Sequence, residues 1–162
     1  MTESAKHESL WRRWVVKPVM SQLTHGTSPG RLSLAIAFGV TLGLFPLLGT
    51  PTLLSVMVGV PMKLSQPVLQ TFRELTYPLH LATILVFIKA GEWLFGAPET
   101  SLSLTMLIER FRVSPSQFMA DFGMLGVYAV TVWALIAPLL IAAIYFGTLP
   151  VITRLARRVG AR

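Results

Sequence analysis

The chain of 162 residues contains no cysteine and no asparagine. The first absence excludes disulfides and thiolate metal sites, and it leaves the redox compartment unread. The second removes every N-glycosylation acceptor. Charge is also scarce. Only 13% of residues are charged against 53% hydrophobic, and the mean hydropathy is +0.64, well outside the range of soluble globular domains. No phosphate-binding glycine loop, H-E-x-x-H or G-x-S-x-G occurs, and His7, His25 and His80 are too far apart in sequence to suggest a metal set. The expectation is a chain that is not an enzyme and holds no cofactor and no metal. A nucleic-acid reader with this membrane content would need a soluble domain, and the length leaves no room for one.

What is present is long apolar sequence. Between Arg31 and Lys63 there is no charged residue, and in the middle of that stretch stands Phe45-Pro46-Leu47-Leu48-Gly49-Thr50-Pro51. A hydrophobic run of this length reads as membrane-embedded, whereas proline within a helix removes a hydrogen bond and kinks or breaks it. The pattern predicts a non-helical segment over residues 46 to 52. Broken backbone at membrane depth is tolerated only where protein buries it or water reaches it, so this break is the first candidate for function. The run starts too late and is too long for a signal-peptide core, so no cleaved leader is expected.

Before this run, residues 8 to 24 carry Trp11 and Trp14 among Arg12, Arg13 and Lys17, a basic segment suited to the membrane surface. Thr27-Ser28-Pro29-Gly30 is turn chemistry that leads into the first apolar segment. In that segment Ala35, Gly39 and Gly43 recur every four residues, which places them on one helix face where another backbone can approach closely. The piece after the break, Thr52 to Val60, is too short to span alone at about 1.5 Å per residue.

Residues 64 to 77 differ in kind. As a helix they set Gln66, Gln70, Arg73, Glu74 and Tyr77 within an arc of about 100°, with Val68, Leu69, Phe72 and Leu75 opposite. Arg73 and Glu74 are costly at bilayer depth, where such residues are usually paired and face a cavity; on a surface helix they are merely wet. Pro78 opens the next apolar run, Leu79 to Phe95, which holds His80, Lys89 and Glu92. Lys89 fits snorkelling toward the interface beside Glu92. An amphipathic helix is expected over Leu104 to Arg112, and Ser114-Pro115-Ser116-Gln117 reads as a helix start. A second uncharged run from Phe122 to Leu149 is long enough to span with tilt.

The resulting fold class is an all-α membrane protein: a small helical bundle with a Pro/Gly-broken re-entrant hairpin and two or more spanning helices. Residues 1–30 form a cytoplasmic or interfacial basic amphipathic segment, 31–150 the membrane domain and 151–162 a basic cytoplasmic tail. Lys6, Arg12, Arg13, Lys17 and Arg31 precede the first segment, and Arg154, Arg157, Arg158 and Arg162 follow the last. The positive-inside rule therefore places both termini in the cytoplasm of a multi-pass protein. An even number of crossings follows, with the broken first region returning to its own side. The alternative is four crossings, and an echo of Phe45-Pro46-Leu47 in Tyr77-Pro78-Leu79 suits that reading, since transporters use paired broken helices.

Residues 28 to 96 resemble the bacterial membrane-protein family DUF2062, a domain of unknown function. The resemblance rests on Ser28-Pro29, on Ala35-Ile36-Ala37-Phe38-Gly39 and Gly43, on Phe45-Pro46 and Gly49, and on Gly91-Glu92-Trp93-Leu94-Phe95-Gly96. The uncharged run near the C-terminus also fits the family's layout. Many members carry an Asn-Pro pair after the polar segment where this chain has Tyr77-Pro78, so no role of that asparagine carries over. The resemblance implies a small helical protein of the bacterial inner membrane, and it brings no activity, cofactor or catalytic residue with it.

Two functions from different classes remain. The first is a transporter or flippase-like protein for a small anionic or lipid-headgroup substrate. Its site would comprise Pro46, Gly49, Thr50, Pro51 and Thr52 at the break, where helix ends leave backbone donors free for an anion, together with Gln70, Arg73, Glu74, Tyr77 and His80. The second is a non-transporting scaffold that packs through Ala35, Gly39 and Gly43 against a membrane-protein partner or a second copy of itself. Membrane lipids with anionic headgroups are the expected partners, and nucleic acid is not. Transport needs the break and the polar stripe to share a wet cavity, whereas a scaffold needs a dry small-residue interface.

Overall fold

A computed structural model describes residues 17–24, 26–47, 50–97 and 103–160, all as helices and the turns between them. Trp11, Trp14 and the rest of the first basic segment before Lys17, as well as Leu48 and Gly49, lie outside the described residues. Six helices follow in order: α1 (Lys17–Thr24), α2 (Pro29–Gly43), α3 (Pro51–Gly59), α4 (Gln66–Phe95), α5 (Leu104–Val113) and α6 (Pro115–Gly160).

Local chemistry explains the starts. The Ser28 hydroxyl caps α2 by accepting from the Arg31 amide at 3.4 Å, with Pro29 in the first turn, where its missing N–H costs nothing. Ser114 does the same for α6, accepting from the Gln117 amide at 3.3 Å ahead of Pro115. Ser103 caps α5 through the Met106 amide. Helix α4 ends on Gly96 at φ 62°, a left-handed turn that glycine adopts without Cβ crowding.

The first apolar region is broken, with one correction to its bounds. Helix ends at Gly43 and resumes at Pro51, so Pro51 and Thr52 belong to the first turn of α3, and the described residues 44–47 and 50 are non-helical. Proline at a helix start is pre-set for it, which is why Pro51 opens a helix where Pro46 helps to end one. Helix α2 runs parallel to the first turns of α4: Gly39 lies on Leu69 and Phe72, and Gly43 on Arg73 and Thr76. Helix α3 runs the other way, with Thr52 beside Arg73 and Gly59 beside Gln66 and Leu69. The two therefore fold as a hairpin against the N-terminal half of α4.

Pro78 does not open a new helix. It sits inside α4, which continues to Phe95. Before it, α4 packs along α2; after it, Ile84, Phe87 and Ile88 join Leu44, Leu107, Ala129 and Val132 in a second apolar cluster. Helix α6 carries through Pro138 and Pro150 into the basic tail without a break and runs antiparallel to α2. Tyr145 meets Gly30 at one end, and Trp133 meets Thr41 and Phe45 near the other. At the first end Ile152 and Leu155 pack with Val19, Leu32 and Leu64, so the start of α1, the base of the hairpin and the end of α6 lie together.

Helices α4 and α6 are each long and apolar enough to cross a membrane, and only 33% and 17% of their most apolar windows are buried inside the fold. The large apolar side chains left outside include Val86 and Trp93 on α4, Leu135, Leu139 and Phe146 on α6, and Leu53 and Met57 on α3. Leu75, assigned to the packed side of α4, is also exposed, whereas Thr76 is buried. The contact face of this helix is set by α2, which approaches closely enough at Gly43 to cover Thr76.

Candidate functional site

Ala35, Gly39 and Gly43 do share a face, and that face is filled from within the chain. A Cβ on Gly39 would stand 2.6 Å from the Leu69 carbonyl oxygen, and one on Gly43 would stand 2.9 Å from Thr76 Cβ. Ala35 is fully buried in the core cluster with Leu69. Helix α4 of the same chain packs on this face at Gly39 and Gly43.

Close packing at the glycines brings α4 to the turn end of the hairpin and sets Arg73 there. Its guanidinium donates to the Thr52 hydroxyl in the first turn of α3 and to the Glu74 carboxylate. The Arg73 side chain is 13% exposed, against 55% for Glu74, so the cation is held inside and its counterion faces out. A buried cation is tolerated when paired and hydrogen-bonded, and here both partners are present. The Arg73 Nε, also buried, has no hydrogen-bond partner among the described residues.

Other predicted site residues separate into two groups. Pro46 and Thr50 sit on the far side of the break, where the Thr50 hydroxyl donates to the Leu47 carbonyl at 3.1 Å. Both line a cavity of about 280 Å³ closed by Ile84 and Ile88 of α4, Leu107 and Phe111 of α5, and Phe118 and Phe122 of α6. Its walls are almost wholly apolar, and none of Gln70, Arg73, Glu74, Tyr77 or His80 lines it. The shared wet cavity expected of the break and the stripe is not what these residues build. Along the stripe, Tyr77 is exposed and stacks on His80 with ring centroids 6.0 Å apart, while Gln70 is half-buried. His80 is only 2% exposed, and its Nδ1 is unpartnered among the described residues. Gly49 lies outside the described residues, and the backbone of Pro51 opens α3.

Lys89 and Glu92 form the anticipated i,i+3 pair at 3.1 Å, with Glu92 buried. Trp133 was not anticipated. Its indole N–H donates 3.1 Å to the Thr41 carbonyl and its ring meets Phe45 edge to face at 4.9 Å. It thus adds a second donor to a carbonyl in the last turn of α2 that already accepts from the Leu44 amide at 3.2 Å, and packs the residue that leads into the break. A tryptophan in the middle of a long uncharged run is the signal that marks it, since its N–H needs a partner when buried.

With this geometry in place, the comparison with protein families has a clear result. The family model for DUF2062, an uncharacterized protein conserved in bacteria, matches residues 10–159, and the chain belongs to that family. No curated protein and no solved structure matches it.

Proposed function

We propose that this DUF2062 member is a multi-pass protein of the bacterial inner membrane, with both ends cytoplasmic and the α2–α3 hairpin re-entrant, and that it moves a lipid by its headgroup. Outward-facing apolar side chains on α3, α4 and α6 support the membrane placement, because a soluble fold would bury them. The observation that carries the functional reading is Arg73. Its charge is largely covered at the turn end of the hairpin, held by Thr52 and Glu74, and intramembrane charges of this kind ordinarily mark a substrate path.

The cavity beyond the break favours a lipid over a hydrated small anion. An apolar cavity stays dry, so it offers no path to a hydrated small anion. It does suit the hydrocarbon of a lipid whose phosphate or carboxylate engages Arg73. Packing of α4 on Gly39 and Gly43 supports this reading over a scaffold that offers that face to a partner.

The test is transfer of a fluorescent phospholipid between leaflets of reconstituted vesicles, read by quenching with an impermeant reductant. Wild type is expected to accelerate transfer over protein-free vesicles. Arg73→Gln keeps a donor for Thr52 but loses the charge, and it is expected to lower the rate at least tenfold while the unfolding midpoint in detergent moves by only a few degrees. A variant as fast as wild type, or a wild type no faster than bare vesicles, would overturn the reading.

A further inference from the structure

At the end of the bundle where the hairpin begins and ends, the α1–α2 turn and the α3–α4 turn face each other across an open polar cleft of about 540 Å³. Gln22, Thr27, Ser28 and Arg31 form one wall, and Lys63 and Ser65 belong to the other. No carboxylate among the described residues lines the cleft. Arg31 and Lys63 are exposed, and neither has a carboxylate partner among the described residues. Two cations from opposite walls with no internal counterion make a site for an anion.

The helices reinforce the sign. Helix α2 starts behind Ser28 and α4 behind Ser65, so the first-turn amides and the positive ends of two helices, 15 and 30 residues long, lie at the cleft. Ser28 uses its hydroxyl as a cap, but Ser65 makes no cap bond, and its hydroxyl is buried without a hydrogen-bond partner among the described residues. The amide nitrogen of the adjacent Gln66 is in the same state. Donors in a fork (Arg31) and on a flexible stem (Lys63) can hold a tetrahedral oxyanion from the two walls.

We propose that this cleft binds a phosphate group between Arg31 and Lys63. The phosphate can belong to an anionic phospholipid headgroup or be free in solution. The lipid source rests on the membrane placement proposed above; the phosphate site itself does not.

Lys63 supplies a variant that spares the fold. Its φ of 52° is left-handed, a conformation that glycine adopts more easily, so Lys63→Gly removes the charge while relieving the backbone. The protein purified in neutral detergent is titrated with inorganic phosphate and followed by thermal unfolding. The same protein in nanodiscs of phosphatidylcholine with or without phosphatidylglycerol is assayed for retained lipid. Arg31→Gln and Lys63→Gly are compared with Arg158→Gln, an exposed cation of α6 that does not line the cleft.

For a headgroup site, wild type and Arg158→Gln retain phosphatidylglycerol, and both cleft variants lose it at least tenfold. For a free-phosphate site, inorganic phosphate stabilises wild type and Arg158→Gln but not the cleft variants, without selective lipid retention. Either result supports the phosphate site. Equal behaviour of all four proteins, or an equal loss in Arg158→Gln, overturns it. Because Arg73 is untouched in these variants, this failure is distinguishable from failure of lipid transfer.

Discussion

A single indole holds the point where α2 stops. Trp133 reaches the Thr41 carbonyl and the Phe45 ring from α6, tying the end of one helix to the middle of another just before the chain leaves helical geometry. Trp133→Phe keeps most of the ring packing but removes the indole donor, leaving that carbonyl with the Leu44 amide alone. A loss of about 1 kcal/mol is expected, the usual net worth of one hydrogen bond, measurable by chemical unfolding in mixed micelles. Arg73 and Thr52 were both legible in the sequence, one as an intramembrane charge and the other as a residue beside a broken helix. The bond between them was not legible, because it exists only once α3 folds back along α4. Trp133 was hidden for a related reason: its partner is a backbone atom 92 positions away, and a backbone atom leaves no trace in residue identity.

Among the elements, the hairpin and α4 show the same local spelling reaching two outcomes. Phe45-Pro46-Leu47 lies in the break, while Tyr77-Pro78-Leu79 lies inside a continuous helix. Proline in a helix interior costs about 3 kcal/mol. In α4 that cost is offset by packing on both sides, against α2 before Pro78 and against α5 and α6 after it. Pro46 has no such support, because Pro51 follows within a turn and a half and the helix cannot regain length between them. Local sequence therefore identified both prolines as stress points, and tertiary packing selected which one breaks. The glycines test that packing. Gly39→Ala places a methyl 2.6 Å from the Leu69 carbonyl oxygen and is expected to destabilise the protein by about 1–3 kcal/mol, as overpacking does. Gly147→Ala on α6 meets nothing within 4 Å and is expected to stabilise by up to about 1 kcal/mol through helix propensity. Thermal unfolding of the two variants side by side checks the contrast; equal shifts would mean that α2 and α4 do not meet at Gly39.

Over the whole molecule, charge is sorted by end. Lys17, Arg31, Lys63, Arg154, Arg157 and Arg158 gather where α1, the hairpin base and the end of α6 meet. The described acids Glu74, Glu92, Glu109 and Asp121 lie elsewhere, three of them paired with Arg73, Lys89 and Arg110. The positive-inside rule assigns the basic end to the cytoplasm, and in the topology proposed above the hairpin enters and leaves on that side while α4 and α6 cross. Composition pointed to the membrane class, and charge supplied the proposed orientation. The return of the hairpin depends on contacts between α3 and α4, which no local pattern encodes. Because the chain contains no cysteine, single introduced thiols have no background, and labelling with an impermeant maleimide before and after membrane permeabilisation reads the topology directly. Thr24→Cys, Met62→Cys and Arg157→Cys, all exposed at the basic end, are expected to react only after permeabilisation, whereas Val113→Cys, 87% exposed at the α5–α6 junction, is expected to react in intact spheroplasts. Thr24 and Met62 reacting from opposite sides of the membrane would contradict the re-entrant hairpin.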